Sequence, residues 1–152
     1  MISRKPLRVL VVDDTVLYRK IVSDALATLP NVEVVGSAHN GKAAISKLAS
    51  LKPDLLTLDI EMPEMNGIQV LEYLQKNTPQ TGAIMLSTLT HEGGAMTMKA
   101  LELGAFDFIP KPQSGTMAEN RKKIESAIGP MIYAFQRSAR VTGVLKSASR
   151  IG

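Results

Sequence analysis

Residues 56–67 read LTLDIEMPEMNG, an apolar run that ends on Asp59 and is followed at once by an acidic loop carrying Glu61, Pro63 and Glu64. A carboxylate at the end of an apolar strand is costly to desolvate unless something is bound to it. Two further carboxylates, Asp13 and Asp14, close the run Val9–Val12. Ser87 and Thr88 close a fourth run, and Lys111 lies just past a fifth. If three carboxylates converge they cannot all stay ionised without a cation. Oxygen donors with no His or Cys beside them favour a hard ion, Mg²⁺ above all. A metal on Asp14, Asp59 and a backbone carbonyl of the loop can also take a phosphoryl oxygen. The Lys111 ammonium and the Ser87 hydroxyl can then bind the remaining oxygens, with Asp59 as the nucleophile that forms an aspartyl phosphate.

That chemistry requires a fold that gathers distant residues. Five β-rich runs, 7–12, 32–37, 55–59, 83–87 and 105–109, alternate with segments of helical spacing. Leu17, Ile21, Ala25 and Leu29 fall on one helical face, and Val70, Leu71 and Leu74 on another. Asn40-Gly41 and Asn66-Gly67 sit where the second and third helices should start. The alternation predicts an α/β fold, a doubly wound parallel sheet with helices on both faces. The first and third runs are apolar throughout, as central parallel strands should be. With strand order 2-1-3-4-5, strands one and three are neighbours at the switch point, where ligands bind at the carboxyl ends of strands. Every candidate residue lies at such an end.

After Lys111-Pro112 the spacing predicts a fifth helix over 117–128 and a break at Gly129-Pro130, since proline inside a helix loses a hydrogen bond. A second short helix from Pro130 to about Arg140 and a linker or frayed end over 141–152 should follow. A tight turn at Lys111-Pro112 predicts a cis bond there.

Composition restricts the alternatives. The chain has 152 residues, 45% apolar and 21% charged, a globular balance long enough for one cored domain. It has no cysteine, which excludes disulfides and thiolate metal sites and fits a reducing cytoplasm. The apolar part of residues 1–13 is too short for a signal peptide, and no stretch approaches the roughly 18 apolar residues of a membrane span. The net charge of +4 is unevenly placed: eleven Lys and Arg meet twelve Asp and Glu through residue 113, and seven meet two thereafter. With few aromatics and no recognition motif, that basic tail reads as a solvated helix face or linker, not a nucleic-acid surface.

Each site residue alone has a plainer use. Asp13-Asp14 can cap a helix, Asp59 can start a turn, and most strand-end hydroxyls and lysines are solvated. Their order at one sheet edge makes the pattern specific. Neither G-x-G-x-x-G nor a P-loop occurs, which excludes a dinucleotide or P-loop fold. No acid orients His91 towards Ser87 as a hydrolase would need, so His91 reads as a surface residue of the loop after strand four, and His39 likewise. An aspartyl-phosphate phosphatase would place a second acid and then Thr after its nucleophile, whereas Glu61 here is followed by Met62 and Pro63.

Together VLVVDD, LTLDIEMPEMNG and FIPKP resemble the response-regulator receiver domain of two-component signalling, over about residues 7–128. The resemblance implies a flavodoxin-like sheet and a histidine kinase that phosphorylates Asp59. It implies Mg²⁺ on Asp13, Asp14, Asp59 and the Glu61 backbone carbonyl, and a Lys111 contact to the phosphoryl group. Ser87 and Thr88 would form the switch hydroxyl end of strand four, with Phe108 as the switch aromatic. Thr15 stands where serine is frequent and Asn66 where aspartate is, departures that should leave the chemistry alone. The segment STLTHEGGAMTMKALELGAFDFIPKP is similar to the receiver half of the chemotaxis protein-glutamate methylesterases. That implies a receiver over 1–128 and a helix and linker over 129–152 leading to a methylesterase output domain. The esterase serine itself is not among these residues, so the chemistry here is self-phosphorylation and its reversal. A stand-alone receiver acting by protein contact is the alternative.

Overall fold

Residues 7–12 and 55–59 are buried almost throughout, which only strands covered on both faces can achieve. In the computed structural model they are β1 (Leu7–Val12) and β3 (Leu55–Asp59), flanked by β2 (Val32–Ala38), β4 (Gly82–Ser87) and β5 (Asp107–Pro110). The structure describes residues 5–88 and 91–151, with side chains except at 91, 92 and 139–151. All pairings are parallel, in the order β2-β1-β3-β4-β5. The period of two along a strand divides the core. Leu10, Val12, Leu56 and Leu58 pack towards α2 (Gly41–Leu51), α3 (Gly67–Asn77) and α4 (His91–Glu102). Val9, Val11 and Leu55 pack towards α1 (Val16–Ala27) and α5 (Met117–Ile151). Each fully buried aliphatic side chain contributes roughly 1.5–3 kcal/mol.

The two Asn-Gly pairs start helices as expected. Asn40 caps α2 by accepting from the Ala43 amide at 2.7 Å. Asn66 and Gln69 bond each other's amides in a capping box, at 2.9 and 3.0 Å. Gly67 is required by closeness: a Cβ there would lie 2.4 Å from the Asp59 carbonyl oxygen. The predicted face of α1 is borne out at Ile21 and Ala25, but Leu17 is half exposed at the helix start.

Three expectations about the fold are corrected. The fifth strand starts at Asp107, not 105, because the Ala105 amide returns to the Ala100 carbonyl and Gly104 sits at φ +104°, closing α4 in a Schellman turn. His91 begins α4 instead of lying in a loop, and its side chain is outside those described. Gly93-Gly94 follows within the first turn of α4, where the Gly93 carbonyl accepts from the Thr97 hydroxyl at 2.8 Å. His39 is exposed in the β2–α2 loop, as expected. The largest correction is α5, which runs unbroken from Met117 through Pro130 to Ile151, so the break, the second short helix and the linker at 141–151 do not occur. Pro130 has no N–H for the carbonyl four residues before it, yet packing on one stripe holds the helix through that defect. Ile124, Ile128 and Ile132 are buried, and the half-buried Phe135 continues the stripe. The Phe135 ring meets Phe106 edge-on at 5.3 Å and roofs Gly82, where a Cβ would come within 2.3 Å of it.

If that stripe carries α5 past its proline, Phe135→Ala should lower the unfolding free energy by about 2 kcal/mol. Chemical denaturation measures it, and an unchanged midpoint would show that the helix beyond Pro130 adds nothing to the domain.

Candidate functional site

The carboxyl ends of β1, β3, β4 and β5 converge because the connection reverses direction between β1 and β3. Asp13 leaves β1 with its amide still bonded to the Ala38 carbonyl at 3.1 Å. Its Oδ1 accepts from the Thr15 amide and hydroxyl at 2.9 and 3.0 Å, and Arg19 donates to its backbone carbonyl at 2.8 Å. Asp59, 1% exposed, takes the Glu61 amide on Oδ1 at 3.2 Å. The Lys111 ammonium bridges the two acids, 2.8 Å from Asp13 Oδ2 and 3.1 Å from Asp59 Oδ1. Asp14 stays exposed, and oxygens of Asp13, Asp14 and Asp59 all lie within 4.8 Å of one another. Asp59 Oδ2 is buried with no hydrogen-bond partner among the described residues.

Electrostatics follow from that crowding. Burial pushes the Asp59 carboxyl up to about 7; the Lys111 charge opposes the rise, while Asp13 and the neighbouring Asp14 carboxyl add to it. Burial works against the Lys111 charge as well, but the Asp13 and Asp59 carboxylates outweigh it and hold the ammonium above the usual lysine range.

The structure brings Asp13, Asp14, Asp59 and Lys111 together as the sequence suggested. Ser87 and Thr88 stand one step away, engaged elsewhere. Thr88 Oγ1 donates to Glu61 Oε1 at 2.9 Å. Ser87 Oγ lies 3.1 Å from the Thr88 carbonyl, with longer approaches to the Gly93 carbonyl and Glu61 at 3.4 and 3.5 Å. Phe108 is half buried against the core, beside a recess it lines with Ser87, Thr97 and Met98. The Lys111–Pro112 bond is trans, as no cis peptide occurs among the described residues. The lysine is aimed instead by backbone bonds: its amide donates to the Ser87 carbonyl at 2.7 Å, and the Pro112 carbonyl accepts from the Tyr18 hydroxyl at 2.7 Å.

Sequence reasoning missed three supports. Thr15, regarded as neutral, holds Asp13 with both its amide and its hydroxyl; a capping residue directly after Asp13-Asp14 was the available signal. The Glu61 side chain ties the β3–α3 loop to the end of β4, although only its backbone was expected to matter. Tyr18 reaches a partner 94 positions away, and nothing local announces that.

The raised Asp59 carboxyl has a thermodynamic consequence in metal-free protein. Between its ordinary 3.8 and about 7 the folded state binds a proton that the unfolded state does not. This contribution therefore stabilises the fold as pH falls through that window and is lost as pH rises through about 7. Metal-free protein should gain melting temperature from Asp59 between pH 8 and pH 5, and Asp59→Asn should flatten that gain while stabilising the protein at pH 8. Thermal melts across this range check it; an unchanged slope in the variant would contradict the assignment.

Comparison with known proteins agrees with this geometry. The family model for the response regulator receiver domain matches residues 9–122. A protein-glutamate methylesterase/protein-glutamine glutaminase from Desulfotalea psychrophila is 58% identical over 132 residues, 87% of this chain and 36% of that protein. The chain thus spans little over a third of the length of this relative. Among solved structures, the response regulator domain of Thermotoga maritima CheB superimposes with a TM-score of 0.75 at 41% identity, covering 86% of this chain and 97% of that one. A chain of the CheX-CheY-BeF3-Mg+2 complex from Borrelia burgdorferi gives 0.64 at 30%, covering 81% and 90%. With its parallel sheet, its acidic edge and its bridging lysine, this chain belongs to the response-regulator receiver domain family.

Proposed function

We propose that Asp59 is the phosphoacceptor of this receiver, taking a phosphoryl group from a histidine kinase. The observation that carries the reading is Asp59 itself: buried at the sheet edge, paired with Lys111 through Oδ1 and leaving Oδ2 without a partner. An Asp59 oxygen attacks phosphorus, the bond from phosphorus to the donor's imidazole nitrogen breaks, and the imidazole leaves. Later attack of water on phosphorus cleaves the acyl phosphate and restores the carboxylate. Lys111 holds a phosphoryl oxygen and offsets charge as it builds, without moving far from its present place.

The three carboxylates fit a hard divalent cation, since they crowd one another and only oxygen donors are at hand. Asp13, Asp14, Asp59 and the Glu61 backbone carbonyl would hold Mg²⁺. When bound, Mg²⁺ would neutralise the carboxylates and a phosphoryl oxygen. A similar chain was solved with beryllofluoride and magnesium, which supports the choice of ion.

The switch reading rests on the hydroxyls. Phosphoryl oxygens on Asp59 offer Ser87 and Thr88 stronger acceptors than the ones they now have. Movement there would alter the recess beside Phe108 and with it the face of α4, β5 and α5. We infer that this face regulates a methylesterase output domain, in keeping with the methylesterase relatives, and that residues 129–152 lead from the receiver at 1–128 towards it. No helix among the described residues is long and apolar enough to cross a membrane; we place the protein in the cytoplasm, with no nucleic acid as partner.

Incubation with acetyl phosphate and Mg²⁺ should add one acid-stable, base-labile phosphoryl mass. Asp59→Asn or excess chelator should abolish it, and a variant that labels equally refutes the assignment. Hydrogen exchange with and without beryllofluoride should change at residues 87–94 and 105–111, and Ser87→Ala should blunt the change. A response confined to the surroundings of Asp59 would mean that the domain binds phosphate without switching.

A further inference from the structure

We propose that Tyr18 is a positioning residue for Lys111, fixing the ammonium against Asp59 by a tether and a ring face. The proposal rests on Asp59 being the phosphoacceptor. Tyr18 Oη donates to the Pro112 carbonyl at 2.7 Å, tying α1 to the loop after β5. Its ring centroid lies 4.6 Å from Lys111 Nζ, within range of a cation–π contact. The ammonium is therefore bounded by Asp13 on one side, Asp59 on another and an aromatic face on a third.

Lysine is a point charge on a flexible four-carbon stem, so its aim depends on what restrains it. The Lys111 backbone is clamped on both sides, its amide by the β4 carbonyl of Ser87 and its following residue's carbonyl by Tyr18. The ring then limits the remaining stem rotations and covers the charge, whose side chain is only 9% exposed. Tyr18 is itself placed by the acidic site. Its amide donates to Thr15 Oγ1 at 3.2 Å, and that hydroxyl donates to Asp13 Oδ1. Asp13, Thr15, Tyr18 and Lys111 thus close a circuit that returns to Asp13 through the 2.8 Å ion pair. A phenylalanine would keep the ring and lose the tether, whereas a leucine would lose both.

The test measures phosphorylation of the full chain by acetyl phosphate with Mg²⁺. Tyr18→Phe should slow labelling of Asp59 about threefold to tenfold, the weight of one hydrogen bond. Tyr18→Leu should slow it by about tenfold more, the weight of a partly desolvated cation–π contact. In a Lys111→Ala background Tyr18→Phe should have no further effect, because the two residues act as a unit. The ring-current shift on the Lys111 ε-methylene protons should survive in Tyr18→Phe and vanish in Tyr18→Leu. Wild-type rates in Tyr18→Phe, or an equal slowing with and without Lys111, would overturn the positioning role; should Tyr18→Leu not fold, the phenylalanine arm decides alone. Wild-type protein that is not labelled at Asp59 would overturn both readings, whereas labelling through Asp59 that ignores Tyr18 overturns this one only.

Discussion

The Lys111 ammonium, held between Asp13 and Asp59, is the interaction on which the rest of the site depends. Two carboxylates this deeply buried would repel each other and face a large desolvation penalty without a cation. The lysine supplies one positive charge for two negative ones, which leaves the site still short of charge. Burial raises the Asp59 carboxyl, the Asp13 charge adds to the rise against the opposing lysine, and one Asp59 oxygen is left without a donor. Crowded carboxylates of this kind are strained by their mutual repulsion, and a hard cation would relieve it. The scaffold tolerates the strain because β1 and β3, which present the two acids, are buried on both faces and set by the parallel register of the sheet.

The same logic explains the side chains that crossed between loops without being anticipated. Glu61 sits two residues after Asp59 and adds a further negative charge to an acidic edge, yet its carboxylate points to Thr88. By doing so it keeps its charge on the β4 side and occupies the hydroxyls at the end of that strand. Thr15 and Arg19 take up the Asp13 side-chain and backbone oxygens that the lysine does not reach. The site is therefore a set of hydrogen-bonded and ion-paired groups arranged around Asp59 Oδ2, which has no hydrogen-bond partner among the described residues.

The sheet, its order and the main residues of the site were legible because their signals are local. Apolar runs ending in carboxylates mark strands at the functional edge, and Asn-Gly marks helix starts by capping chemistry. What escaped was set by tertiary partners. The Ala105 amide looked available to β5, but the Schellman turn at Gly104 claims it. Pro130 looked like a stop, but its local penalty was smaller than the burial of Ile124, Ile128, Ile132 and Phe135 on one stripe. Tyr18 could not be assigned from sequence because its partner, Pro112, comes close only once α1 packs beside α5 and the loop after β5 reaches the N-terminal end of α1.

The unbroken α5 turns a question of tethering into one of phase. Thirty-five residues of continuous helix form a rod of about 50 Å, longer than the strands it crosses. A flexible connection would forgive insertions and deletions, changing only the local concentration of whatever it joins. A rod does not. Removing one residue beyond Phe135 turns everything on its far side by about 100° and draws it in by about 1.5 Å, whereas removing seven nearly restores the original bearing. Partner geometry would then follow the helical repeat of this segment and depend little on its composition.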